Sequence, residues 1–87
     1  MANYRLEFKK PAKKDVEKLN PYQAKRIIKK LKYYISLDDP LSVAVSLNEP
    51  FEGQYRWRIG PYRVVFDVEK DVICVLRVEH RRQVYRK

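Results

Sequence analysis

At 87 residues, the chain has room for one small domain and not two. One cysteine, Cys74, excludes an intramolecular disulfide, and no apolar run approaches the ~20 residues of a membrane span. A formal net charge of +9 favours one sign more than solubility requires and points to a polyanionic partner, either nucleic acid or an acidic protein.

The N-terminal stretch MANYRLEFKK lacks the apolar segment of a signal peptide, and with the lone cysteine this predicts a cytoplasmic protein without membrane contact. One His and one Cys do not make the clustered spacing of a zinc site, so neither a metal nor another cofactor is expected. Cys74, inside Val72-Ile73-Cys74-Val75-Leu76, reads as a small buried hydrophobe rather than a reactive thiol.

From Asn3 to Phe8 the chain alternates, with Tyr4, Leu6 and Phe8 on one side and Arg5 and Glu7 on the other, which predicts a half-buried strand. Pro11 suits the first turn of a helix, and Ala12, Val16 and Leu19 make one helical stripe with lysines off it. Asn20-Pro21 ends that helix and caps a second, Pro21 to Ile35, whose apolar face is Ala24, Ile27, Ile28, Leu31, Tyr34 and Ile35. Asp38 to Gly53 reads as irregular. Gln54–Ile59, Tyr62–Val68 and Val72–Val78 then read as three strands joined by Gly60-Pro61 and Glu69-Lys70-Asp71, an antiparallel meander. The predicted fold is α+β, a single domain over residues 1–87 in the order β-α-α-β-β-β. Its antiparallel sheet packs on an N-terminal helical hairpin and leaves one sheet face for solvent or a ligand.

Alternation sorts the basic residues. Tyr55, Trp57 and Ile59 point one way, Arg56 and Arg58 the other; Tyr62, Val64, Phe66 and Val68 oppose Arg63, Val65 and Asp67. Arg77 is read as sharing a side with Ile73 and Val75. With the apolar sets against the helices, the arginines converge on the uncovered face. Nine of the 11 lysines precede Tyr33, while seven of the nine arginines follow Gln54, so the helices carry point charges and the sheet carries planar forks. Guanidinium groups suit a bidentate grip on phosphate. The carboxylates of that half, Asp67, Glu69, Asp71 and Glu79, are too few to neutralise its nine basic residues. His80, the sole histidine, belongs to the side-chain type that titrates near neutrality.

The run Tyr55-Arg56-Trp57-Arg58-Ile59-Gly60-Pro61-Tyr62-Arg63-Val64-Val65-Phe66, followed by Val78-Glu79-His80-Arg81-Arg82-Gln83-Val84-Tyr85, resembles the RelE/ParE superfamily of bacterial and archaeal toxins. The RelE branch implies an endoribonuclease that cuts mRNA in the ribosomal A site. It works without metal: the ribose 2′-OH attacks the adjacent phosphate. The resemblance implies catalytic roles for Arg63, Arg81, Tyr85 and His80, with Arg56 and Arg58 holding RNA phosphates; Arg77 and Arg82 are read as further phosphate contacts. The best-known pattern has lysines where Arg56 and Arg58 stand. Arginine stays protonated and does not serve as a base, so Tyr85, His80 and Glu79 are the candidates for that role.

The resemblance also implies a cognate antitoxin that wraps and silences the toxin, and contacts with 16S rRNA. Two alternatives stand beside it: a ParE-type toxin that inhibits DNA gyrase by protein contact, and a catalytically weak basic RNA-binding module.

Overall fold

The computed structural model describes residues 4–47 and 53–80. The N-terminal alternation forms β1 (Arg5–Phe8), followed by α1 (Lys10–Glu17) and α2 (Pro21–Ile35). Asn20 caps α2 by accepting a hydrogen bond from the Gln23 N–H at 2.9 Å, and Pro21 stands in the first turn, where no N–H is needed. A 3₁₀ turn, Pro40–Val43, leads to the two-residue strand β2 (Val45–Ser46). The meander follows as β3 (Tyr55–Ile59), β4 (Tyr62–Glu69) and β5 (Val72–His80).

The five strands form one sheet in the order β1-β5-β4-β3-β2. It is antiparallel from β2 through β5, but β1 runs parallel to β5, with Arg5 opposite Val72 and Phe8 opposite Val75. The expected all-antiparallel pairing is corrected at that edge. Alternation says which side each residue takes and not which strand it lies beside. The helical hairpin carries the chain away from β1, so no tight turn constrains its direction.

The helices cover one face. Ala12, Ile27 and Leu31 are fully buried against Trp57, Val64, Phe66, Ile73 and Val75. The Trp57 and Phe66 rings lie 4.1 Å apart between centroids, and the Trp57 indole N–H donates to the Pro40 carbonyl at 3.2 Å. This core is the one read from the alternation of β3 and β4.

Two departures change the far face. First, Val65 pairs with Arg77 but Phe66 pairs with Val75, so Leu76 is an extra residue in β5. This bulge shifts the alternation, and Val78 continues the core side begun by Ile73 and Val75. Arg77 is therefore not on the side of Ile73 and Val75, as strict alternation placed it, but exposed. Cys74 lies off the core side and is half-buried rather than fully buried.

Second, the far face is closed at one end. Gly53 lies over Val65 and Leu76 with φ +142°, and a Cβ there would come within 2.5 Å of Val65 Cγ1. The next residue, Gln54, donates its N–H to Asp67 and accepts from the Val68 N–H, both at 2.8 Å. Val65 is consequently buried although it faces away from the helices. Among the described residues, the face expected to be uncovered is closed at the Gly53 end and carries Arg58 and Arg63 toward the other.

Candidate nucleic-acid interface

Because Trp57 and Ile59 are locked into the core, Arg56 and Arg58 project from the far face. The register sets Arg58 opposite Arg63, and Arg63 opposite Glu79; Arg56 stands opposite Val65, which faces Arg77. Two guanidinium-bearing residues directly across a ladder repel by roughly 0.2–1 kcal/mol. The Glu79 carboxylate, opposite Arg63 on β5, offsets part of that repulsion.

The two arginines differ in freedom. Arg58 is exposed, whereas the Arg63 side chain is 17% exposed and its Nε donates to Glu79 Oε1 at 3.3 Å. The other Glu79 oxygen lies 3.8 Å from Arg77 Nη1. Arg77 in turn makes a two-pronged contact with Asp15 on α1, Nε to Oδ2 at 2.8 Å and Nη2 to Oδ1 at 3.1 Å. Asp15 also accepts the Val78 N–H at 2.9 Å, beyond the last β1 pair at Val75. A chain of opposite charges thus runs from α1 through Arg77 and Glu79 to Arg63.

Electrostatics in that chain are mutual. Burial pushes the Asp15 carboxyl up, but the Arg77 hydrogen bond, the Val78 N–H and the charges of Arg77 and Lys18 outweigh it, and its pKa lies below the ordinary 3.8. The hydrogen bond to Asp15 raises the Arg77 pKa above its usual value, against the opposing effect of burial.

Of the expected site residues, Arg56, Arg58 and Arg63 come together on the far face. Arg77 reaches it only through Glu79 and is otherwise committed to Asp15. His80 stands apart from this group. It pairs with Tyr62, meets that ring edge-on at 5.2 Å between centroids, and shares a cleft with Asp15, Lys18 and Leu19 on the helix side. Arg81, Arg82 and Tyr85 lie outside the described residues. Asp15 was not foreseen, although an aspartate amid Lys13, Lys14 and Lys18 was a visible signal.

The family model described as the ParE toxin of the type II toxin–antitoxin system, parDE, matches residues 6–85. The chain belongs to the RelE/ParE superfamily of type II toxins. Within that superfamily, it is 32% identical to Toxin RelG of Mycobacterium tuberculosis, covering 97% of this chain and 98% of that protein. Its fold superposes on a chain of the Mycobacterium tuberculosis toxin–antitoxin complex RelBE2 with a TM-score of 0.80 at 27% identity, covering 92% and 93% of the two chains. The archaeal RelE–RelB complex of Pyrococcus horikoshii matches with a TM-score of 0.71 over 91% of this chain and 96% of that one, at 23% identity, a likeness of fold alone. Among the described residues of this superfamily member, no helix is long and apolar enough to cross a membrane.

Proposed function

We propose that this toxin is an endoribonuclease that cleaves mRNA in the ribosomal A site. The observation that carries the reading is Arg63: a guanidinium on the open end of the sheet, steadied by Glu79 and facing Arg58 across the ladder. The reaction joins the ribose 2′-oxygen to the adjacent phosphorus and breaks the bond from phosphorus to the 5′-oxygen. The 2′-OH proton passes to a base, the leaving 5′-oxygen gains a proton, and a cyclic phosphate remains. Negative charge builds on the non-bridging oxygens along the way. A cation already held at that point needs no reorganisation, and removing such a donor costs ~3–4 kcal/mol of barrier.

Arg63 takes the scissile phosphate, and Arg81 joins it on the strength of the resemblance. Arg56 and Arg58 hold flanking phosphates and align the 2′-oxygen with the breaking bond. Glu79 acts first as the group that orients Arg63. Tyr85 retains the stacking or proton-moving role that the resemblance gives it. His80, on the helix side beside Tyr62, is the weaker base candidate by position.

The partner in this reading is a cognate antitoxin. The RelBE2 and archaeal RelE–RelB neighbours are toxin–antitoxin complexes, and an acidic or amphipathic chain suits the +9 charge. A second reading is favoured by one observation, the match to the ParE model: inhibition of DNA gyrase by protein contact.

Cell-free translation of one defined mRNA separates the two. Addition of the purified toxin, with 5′ ends mapped by primer extension, gives codon-phased cuts only on ribosome-bound message if the nuclease reading holds. Uncut message together with inhibited gyrase supercoiling would replace it with the second.

A further inference from the structure

Beyond the open arginine face, a wide concavity lies between α2 and the β3–β4 turn. It holds about 770 Å³ and is lined by Arg26, Lys29, Lys30, Tyr33, Tyr34 and Arg58, together with Ile59 and Gly60. Four of these are cations and none is a carboxylate. Its size falls in the range of small-ligand sites, and cationic side chains share its lining with the Tyr33 and Tyr34 rings.

Three features give it a ligand chemistry. Lys30 Nζ sits 5.2 Å from the Tyr33 ring centroid and 5.5 Å from that of Tyr34, so the ammonium and the rings form one surface. Tyr34 is fixed, its hydroxyl donating to the Arg58 carbonyl at 3.2 Å and its ring 5.1 Å from Trp57, while Tyr33 is 54% exposed. The Arg26 guanidinium lies over Gly60, within about 4 Å of where a Cβ would stand. Cations for phosphates, interleaved with an exposed ring for a base, are the elements of a sequence-tolerant single-strand site.

Connectivity supplies the route. β2 pairs with β3 only at Tyr55 and Arg56. Past Arg56 no strand among the described residues pairs with that edge of β3, and there the Tyr34 hydroxyl meets the Arg58 carbonyl. Arg58 both stands opposite Arg63 and lines the groove.

We propose that the groove is a second RNA subsite. A single strand whose scissile phosphate lies at Arg63 passes around the free edge of β3 at Arg58. The flanking nucleotides seat there, phosphates on Arg26, Lys29 and Lys30, one base on Tyr33. This inference rests on the ribonuclease reading and extends its substrate contact to α2.

Fluorescence anisotropy of the full chain with labelled 2′-O-methyl RNAs, which bind without being cut, tests it. Oligonucleotides of about 4 and about 12 nucleotides separate one subsite from two. The Arg26→Glu/Lys30→Glu variant is expected to bind the longer RNA at least about tenfold more weakly, and to lower the salt slope by roughly 0.7 for each phosphate no longer neutralised. Tyr33→Ala should weaken it about fivefold or more with the salt slope kept. The short RNA should be insensitive to all three changes.

Lys13→Glu, on the exposed side of α1, controls for general charge. Groove variants that match Lys13→Glu while Arg56→Ala still weakens binding would overturn this subsite and leave the nuclease reading standing. No binding of the longer RNA by the wild type would overturn the subsite as well, while the ribosome-dependent nuclease reading is decided separately by the cell-free translation assay. A groove filled instead by an acidic protein segment would show as retained RNA affinity together with abolished antitoxin affinity in the same variants, which also overturns the proposal.

Discussion

The two faces of the sheet solve opposite problems with the same alternation. On the helix side, Trp57, Phe66, Ile73 and Val75 bury everything they carry, and the fold is held there. On the far side, the chain places cations opposite one another, then restrains one through Glu79 and leaves the other exposed. Stability and the proposed chemistry are thus separated by a single residue step along a strand. A substitution should report on one face or the other, and four changes test how clean the separation is.

Trp57→Ala should have the largest effect. It empties the centre of the covered face and costs about 3–5 kcal/mol, most of what an 87-residue domain has to spare. Thermal unfolding should show collapse of the transition; an unchanged midpoint would break the assignment of the core.

Gly53→Ala probes the closed end of the far face. The backbone there strains any side chain, and the added Cβ meets Val65. The change should destabilise by roughly 2–3 kcal/mol, against about 1 kcal/mol for Gly60→Ala, where φ is +58° but space remains. Equal midpoints for the two variants would show that Gly53 does not close the face.

Asp15→Asn addresses the link between the faces. Its hydrogen bonds to Arg77 and Val78 contribute about 1–2 kcal/mol at neutral pH, a discounted figure because Arg77 is half exposed. The folded-state pKa lies below the unfolded 3.8, so folding favours the carboxylate. The contribution is full above 3.8 and disappears as pH falls through the lower folded value. Wild type and variant should therefore differ in denaturant midpoint at pH 7 and converge at the acid end. A difference that persists there would mean that the charge is not what matters.

Glu79→Gln is the smallest and the most discriminating change. It loosens Arg63 without removing it, and cleavage should fall about tenfold or less with the unfolding midpoint nearly unchanged. A drop as deep as that of a catalytic group would instead make Glu79 the base.

Much of this was legible beforehand because period two and period 3.6 act locally. Pro21 to Ile35 announces its cap, its start and its buried stripe, and Arg56-Trp57-Arg58 announces which side is core. What failed depends on non-local pairing. The Leu76 bulge leaves no mark in a run of apolar residues, yet it turns Arg77 off the core side. Val45–Ser46 is too short to show a period. The cover over Val65 follows from Gly53 and Gln54 meeting residues more than ten positions away. At the site, the arginines could be seen to share a side, but the reach of Asp15 across 62 positions to Arg77 could not.

The most direct test of Arg63 as the phosphate-binding cation is the single-turnover rate of mRNA cleavage in defined ribosomal complexes, wild type against Arg63→Ala, with unfolding midpoints measured on the same preparations. The variant should cleave about 100- to 1,000-fold more slowly at an unchanged midpoint. Cleavage at the wild-type rate by the folded variant would contradict that role, and would move the chemistry away from the open end of the sheet.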